Sequence, residues 1–188
     1  FSGNQFLSKD YTECARWGEA AIAQGKNGVR FETAYSSANI GKKDRAYELY
    51  MQLADEGNAA AMNNLGCLED DESKAFEWFL KAAEKDDSVA QKNVARYYRY
   101  GIATDKDEQK ALDYYIKSAN QGYMDSILEL ASLYRNGYCT EKNIEESIKW
   151  YEKAIEKGNK DSMLDLASLY IDEQDDSVKG IQMYKQAA

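Results

Sequence analysis

The chain repeats itself at a fixed interval, and that interval constrains its fold more than any single motif does. Val94-Ala95-x-x-Tyr98, Leu130-Ala131-x-x-Tyr134 and Leu166-Ala167-x-x-Tyr170 follow one another at 36 residues. A second pattern keeps the same step: Lys74-Ala75-x-x-Trp78-Phe79, Lys110-Ala111-x-x-Tyr114-Tyr115 and Glu146-Ser147-x-x-Trp150-Tyr151. A period between 20 and 50 residues marks an array in which each unit buries its apolar face against the next. Such arrays build extended binding surfaces rather than closed catalytic pockets.

Both patterns are helical. Ala90, Val94, Ala95 and Tyr98 fall at i, i+4, i+5 and i+8, one helix face, and Ser126/Leu130/Ala131/Tyr134 and Ser162/Leu166/Ala167/Tyr170 repeat it. Small residues let a second helix approach closely while the tyrosine ring fills the remaining gap. The partner helix carries Ala111, Tyr114, Tyr115, Ser118 and Ala119, and Gly122 and Gly158 stand where a left-handed cap ends it. Traced along the chain, the second pattern starts at residues 14, 46, 75, 111, 147 and 180. First helices are expected near 28–40, 58–69, 88–100, 124–136 and 160–172, giving about eleven helices and no strand. The expected organisation is one repeat domain over 1–188, with repeats at 58–87, 88–123, 124–159 and 160–188 and weaker ones at 1–25 and 26–57. Since the chain opens at Phe1 and stops within a repeat, it reads as a fragment of a longer one.

Composition agrees and excludes. Proline is absent and only 12 residues are glycine, which suits nearly continuous helix. A net charge of −9 disfavours nucleic acid and anionic membrane as partners. No apolar run approaches the roughly 18 residues of a membrane helix. Three cysteines without repeating spacing form neither a disulfide framework nor a zinc site, and free thiols suit a reducing compartment. Histidine is missing altogether, which removes the commonest general base. No nucleophile elbow or glycine-rich phosphate loop is present. No cofactor or metal is expected.

Ala90, Val94-Ala95, Tyr98, Gly101, Asp107, Lys110-Ala111, Tyr114-Tyr115, Lys117-Ser118-Ala119 and Gly122 together resemble the Sel-1-like repeat, a relative of the tetratricopeptide repeat. The next unit repeats the resemblance through Ser126, Leu130-Ala131, Tyr134, Gly137, Asn143, Trp150-Tyr151, Lys153-Ala154 and Gly158. The match is close over 44–188 and weaker over 10–43. The resemblance implies an all-α, right-handed α-solenoid of five to six stacked antiparallel helix pairs, acting as an adaptor for other proteins. Ala103 and Cys139 replace the second loop glycine of the family pattern and Thr104 and Thr140 its valine, so those loops are expected to bend differently. Gly66 is the one helix-crossing glycine retained.

In this family the first helices line the concave face. Carried onto this chain, the exposed positions there are Asn63, Cys67 and Asp70; Lys92, Arg96, Arg99 and Tyr100; Leu128, Ser132, Arg135 and Asn136; and Leu164, Ser168 and Ile171. Lys92, Arg96 and Arg99 share one helical stripe, and Arg135 lies one period beyond Arg99. They form a basic patch in an acidic chain, fit to clamp a carboxylate, an acidic peptide or a phosphorylated side chain. The competing reading pairs these cations with acids on adjacent helices. Tyr98, Tyr115, Tyr134, Tyr151, Tyr170 and Tyr184 occupy core positions of the pattern. Tyr97, Tyr100, Tyr123 and Tyr138 do not, and Tyr100 and Tyr138 are the candidates for contact. The acidic runs at 69–72, 105–108 and 172–176 lack EF-hand spacing, and Asp107 and Asp175 are expected to cap helices.

The function read from the sequence is a non-enzymatic scaffold that binds a protein or peptide partner, with Asn63, Lys92, Arg96, Arg99, Tyr100, Ser132, Arg135, Asn136 and Ser168 as its contact residues. A rival reading is an inhibitor or immunity-type protein whose acidic surface blocks a basic toxin or enzyme. A third, a hydrolase built on a carboxylate pair, ranks below both.

Overall fold

The computed structural model describes residues 3–173 and 175–187, and its contacts divide the chain into two units, Phe1–Asp87 and Ser88–Ala188. The first holds α1 (Gly3–Ala23), a 3-10 turn (Asn27–Val29), α2 (Arg30–Asn39), α3 (Lys43–Asp55), α4 (Ala59–Leu68) and α5 (Glu72–Ala83). The second holds α6 (Ser88–Tyr100), α7 (Glu108–Asn120), α8 (Met124–Asn136), α9 (Ile144–Glu156), α10 (Asp161–Glu173) and α11 (Ser177–Ala187). No strand occurs among the described residues. Within each unit every helix packs chiefly on its neighbours in sequence, as stacking in one dimension requires. The fold is all-α and of the helical-repeat class. The helix predicted to start near residue 14 begins earlier, at Gly3.

Second helices end in one local device. Gly25, Gly57, Asp86, Gly122 and Gly158 each lie 11 residues past the repeat's small residue and adopt φ of 80°, 89°, 60°, 89° and 90°. In each case two backbone bonds close the end. At Gly122, for example, its own N–H donates to Ala119 and that of Tyr123 donates to Ser118, at 3.0 and 3.3 Å. This is the Schellman arrangement, which satisfies carbonyls that the helix leaves open and which glycine enters without a Cβ penalty. Asp86 does the same work without that advantage.

The long loops are set by a similar economy. Gly101 and Gly137 turn left-handed, and two residues later Ala103 and Cys139 do so too, at φ 54° and 60°. The two loops thus share one pattern of left-handed residues. Asp107 N–H donates to the Tyr98 carbonyl, and Asn143 N–H to that of Tyr134, at 2.9 and 2.8 Å. Asp107 and Asn143 then accept at their side chains from the N–H groups of Lys110 and Glu146 and start the next helix. Asp71 does likewise for α5, accepting from Ser73 and Lys74. For α11 the cap is Asp176, which accepts from the Lys179 N–H at 2.9 Å, rather than the predicted Asp175, whose own φ of 52° places it in the turn.

Helix pairs meet at small residues. The Ser147 hydroxyl donates to the Ala131 carbonyl at 2.8 Å, tying α9 to α8. A Cβ on Gly180 would fall 2.8 Å from the Ala167 carbonyl oxygen, and one on Gly66 would fall 2.7 Å from the Phe79 ring. Around these crossings Val94, Ala95, Leu130, Ala131 and Ala119 are fully buried. Because α8 and α10 each pack on a helix before and a helix after, a wider arc than one face is covered. Leu133 and Leu169 are thus fully buried, and Tyr97 in the same register is 2% exposed, which corrects the expectation that Tyr97 lies off the core. Tyr98 is half-buried and stacks on Tyr114 with centroids 6.0 Å apart. Tyr184, expected in the core, is 38% exposed; among the described residues α11 packs chiefly on α10.

Two substitutions test this account. Gly66→Val should overpack the buried Phe79 and lower the free energy of unfolding by about 1–3 kcal/mol. Ala103→Gly should relieve a left-handed alanine on an exposed loop and raise it by about 0.5–1 kcal/mol after the entropy cost of glycine. Urea denaturation measures both, and a destabilising Ala103→Gly would contradict the strain assigned to that loop.

Candidate first-helix interface

The first helices of the second unit, α6, α8 and α10, share one register. Lys92, Leu128 and Leu164 are equivalent, as are Arg96, Ser132 and Ser168; Arg99, Arg135 and Ile171; and Tyr100, Asn136 and Asp172. The buried stripe of each helix points into the stack, so these positions fall on the outer side.

Most cations of this face are neutralised by acids of the next repeat. Lys92 Nζ lies 3.5 Å from Asp125 Oδ2, Arg99 donates to Glu129 Oε2 at 2.9 Å, and Arg135 reaches Asp172 Oδ2 at 3.3 Å. Arg135 also donates to the Ser168 hydroxyl at 3.4 Å. Burial works against the charge of Arg99, yet the neighbouring Tyr115 hydroxyl, with Tyr100 and Glu129, outweighs it and holds its pKa above the ordinary value. Arg96 differs. It is exposed, and its recorded neighbour among the described residues is the Tyr97 ring, 5.9 Å away.

Two shallow clefts open on this side. One, of about 310 Å³, is lined by Lys92, Asp125, Leu128, Glu129 and Ser132. The other, of about 440 Å³, is lined by Arg99, Tyr100, Lys106, Glu108, Tyr138 and Cys139. There the Arg99 guanidinium sits 5.1 Å from the Tyr100 ring and 6.0 Å from that of Tyr138. Both rings are more than half exposed, at 59% and 56%. Lys106 is held by Glu108 at 2.6 Å. Burial pushes the Cys139 thiol up, which favours its protonated form.

The residues expected from the sequence therefore separate into groups. Lys92, Arg96, Arg99, Tyr100, Ser132, Arg135, Asn136 and Ser168 come together on the second unit, with Tyr138 joining Tyr100. Asn136 donates to the Ser132 carbonyl and Ser168 to that of Asp165, both at 2.8 Å, so these short side chains are engaged in their own helices. Asn63 is a correction: it belongs to the first unit and is 7% exposed, buried in α4 rather than displayed. Sequence reasoning missed the acids that hold the cations. Asp125, Glu129 and Asp172 follow their partners by 33, 30 and 37 residues, so opposite charges about one period apart were the available signal. Among the described residues no three metal-ligating side chains converge, and no helix is long and apolar enough to cross a membrane.

Beneath the face, burial above all pushes the Tyr115 phenol up to about 12 from its ordinary value of 10.0. The fold thus holds the neutral phenol. That preference is fully present below pH 10 and is lost as the pH rises toward 12, where the unfolded chain ionises first. Tyr115→Phe should flatten the fall in stability over this interval in denaturation curves taken at successive pH values. Tyr50, raised by burial to about 12 as well, and Tyr47, Tyr134 and Tyr151, raised by burial in the same direction, contribute to the slope that remains.

Comparison with known proteins gives the family. The Sel1 repeat model matches residues 1–26, 59–87, 88–123, 125–159 and 161–188. No curated protein matches. Among solved structures, a Sel1 repeat protein from Oxalobacter formigenes superposes with a TM-score of 0.76 at 22% identity, covering 95% of this chain and 79% of that one. The protective antigen c5321 of uropathogenic Escherichia coli, which displays an SLR fold, gives 0.73 at 23% identity over 92% of this chain. This chain spans 40% of the antigen's length. Helicobacter pylori cysteine rich protein B gives 0.54 at 24% identity, covering 64% of this chain and 92% of that one. These likenesses establish the fold. Sel1 repeat proteins are generally non-catalytic scaffolds for protein–protein interaction. With the repeat matched over most of its length and its helices stacked pair upon pair, this chain belongs to the Sel1 repeat family.

Proposed function

We propose that this chain is a scaffold that binds a protein or peptide partner across the first helices of its second unit, α6, α8 and α10. The observation that carries the reading is the pair of exposed tyrosines, Tyr100 and Tyr138, framing Arg99 at the rim of a cleft. Tyrosine and arginine dominate the energetics of protein interfaces, since each combines a large apolar contact with a polar end. A second cleft beside Leu128 extends the contact along the same face.

An anionic group on the partner fits this face at Arg96. At Lys92, Arg99 and Arg135 it would have to displace Asp125, Glu129 or Asp172. The acidic loops are less available for a basic partner than their composition suggests, because Asp71, Asp107 and Asp176 cap helices and Asp70 and Glu173 pair with Lys43 and Lys142.

The test is affinity capture from the source organism with the parent chain, with Arg96→Glu and with Tyr100→Ala/Tyr138→Ala, folding being checked by circular dichroism. Arg99→Glu is unsuitable, since it would set a second carboxylate against Glu129. A partner held by the parent should be lost, or weakened about tenfold or more, in both variants. A partner retained by both would place the binding face elsewhere.

A further inference from the structure

Three segments of the second unit meet at the larger cleft. Arg99 and Tyr100 close α6, Lys106 and Glu108 stand where α7 begins, and Tyr138 and Cys139 follow α8. The volume they enclose, about 440 Å³, falls within the roughly 300–1,000 Å³ of small-ligand sites. Folding of the repeat does not demand the two rings. Arg135 and Lys142 stand one period beyond Arg99 and Lys106, yet Asn136 takes the place of Tyr100, and Ile102 stands one period before Tyr138. Tyrosines of the repeat pattern itself recur at each step, as Tyr98, Tyr134 and Tyr170 do.

Charge selects the kind of group the cleft can take. Arg99 donates to Glu129 Oε2 at 2.9 Å, and Lys106 Nζ lies 2.6 Å from Glu108 Oε1. Each cation of the lining therefore already faces a carboxylate. A partner's carboxylate would have to break one of these pairs, and a partner's ammonium would meet two cations in place. An uncharged side chain does neither.

Among uncharged side chains, the lining favours a ring. A guanidinium attracts the face of an aromatic ring, two tyrosines offer stacked or edge contacts, and a cysteine sulfur is soft and polarizable. Arg99, Tyr100, Tyr138 and Cys139 supply all of these, whereas an aliphatic group would gain contact area alone. Because Lys106 engages Oε1 of Glu108, Oε2 can accept a further hydrogen bond. Tryptophan joins the ring face that cations prefer to an N–H donor.

We infer that the cleft takes a tryptophan side chain of the partner protein, its ring against Arg99, Tyr100 and Tyr138 and its indole N–H donating to Glu108. The inference rests on the scaffold reading above and names the anchor of its partner. Tryptophan, tyrosine and arginine carry much of the energy of protein interfaces and tend to face one another across them.

NMR titration of the whole chain, followed on its tyrosine ring resonances, tests this. The probes are N-acetyl-tryptophanamide, its 1-methylindole analogue, which lacks the N–H, and N-acetyl-leucinamide. The tryptophan probe should shift Tyr100 and Tyr138 saturably and bind about fivefold or more tightly than the leucine probe. It should also bind about fivefold more tightly than the methylated analogue, and Glu108→Ala should erase that second difference. Tyr100→Ala/Tyr138→Ala, with folding checked by circular dichroism, should abolish binding. Equal affinity for tryptophan and leucine probes, no saturable shift at Tyr100 and Tyr138, or a preference over the methylated analogue that persists in Glu108→Ala overturns the inference. If the probes fail while the captured partner is still lost in Tyr100→Ala/Tyr138→Ala, the scaffold reading stands and its anchor has other chemistry. If that variant and Arg96→Glu both retain the partner, the scaffold reading itself fails.

Discussion

Close approach of the two helices within each pair is the contact on which the rest of this molecule depends. Ala131 on α8 lies so near Ser147 on α9 that the serine hydroxyl reaches the alanine carbonyl, and Gly180 leaves no room for even a methyl group beside Ala167. Dispersion between well-fitted surfaces is summed over many short contacts, so a pair held this tightly gains more than one splayed by larger side chains. The approach also fixes the rotation of each helix about its axis. Once Ala95, Ala131 and Ala167 face the partner helix, Lys92, Leu128 and Leu164 have one direction left to point.

That fixed rotation explains the electrostatics of the outer side. A first helix displays its cations at the register where the next first helix displays its acids, and Lys92–Asp125, Arg99–Glu129 and Arg135–Asp172 close as a result. Partly exposed pairs of this kind each add little to stability. Their larger effect is on recognition, because a cation already facing a carboxylate attracts a second one weakly. Of the four cations expected on this face, Lys92, Arg99 and Arg135 face carboxylates, and Arg96 has no ion pair recorded among the described residues.

The loops illustrate which features a sequence states openly. Gly122 and Gly158 announce left-handed turns, since glycine is the residue that enters that region freely, and the caps are found there. Asp86, Ala103 and Cys139 adopt the same conformation with nothing in their identity to announce it. They are carried there by the bonds on either side, such as Asp107 N–H to the Tyr98 carbonyl, which outweigh the local preference. Tyr97 was illegible for a related reason. A single-face pattern assigns it to solvent, and only the width of the buried arc, set by how the repeats stack, puts it in the core.

Sequence alone determined the repeat, the number and kind of helices, the family resemblance and the residues gathered on the first-helix face. These follow from periodicity and from interactions a few residues apart, which are written in the order of the chain. Tertiary structure decided which of those residues are exposed, which are buried and which are paired. Whether Arg99 is neutralised while Arg96 is not, whether Asn63 is displayed or buried, and whether Tyr100 and Tyr138 share one cleft all depend on the phase of one helix against the next. That phase is set by packing between consecutive helices, such as Ser147 of α9 on Ala131 of α8, which no local pattern encodes.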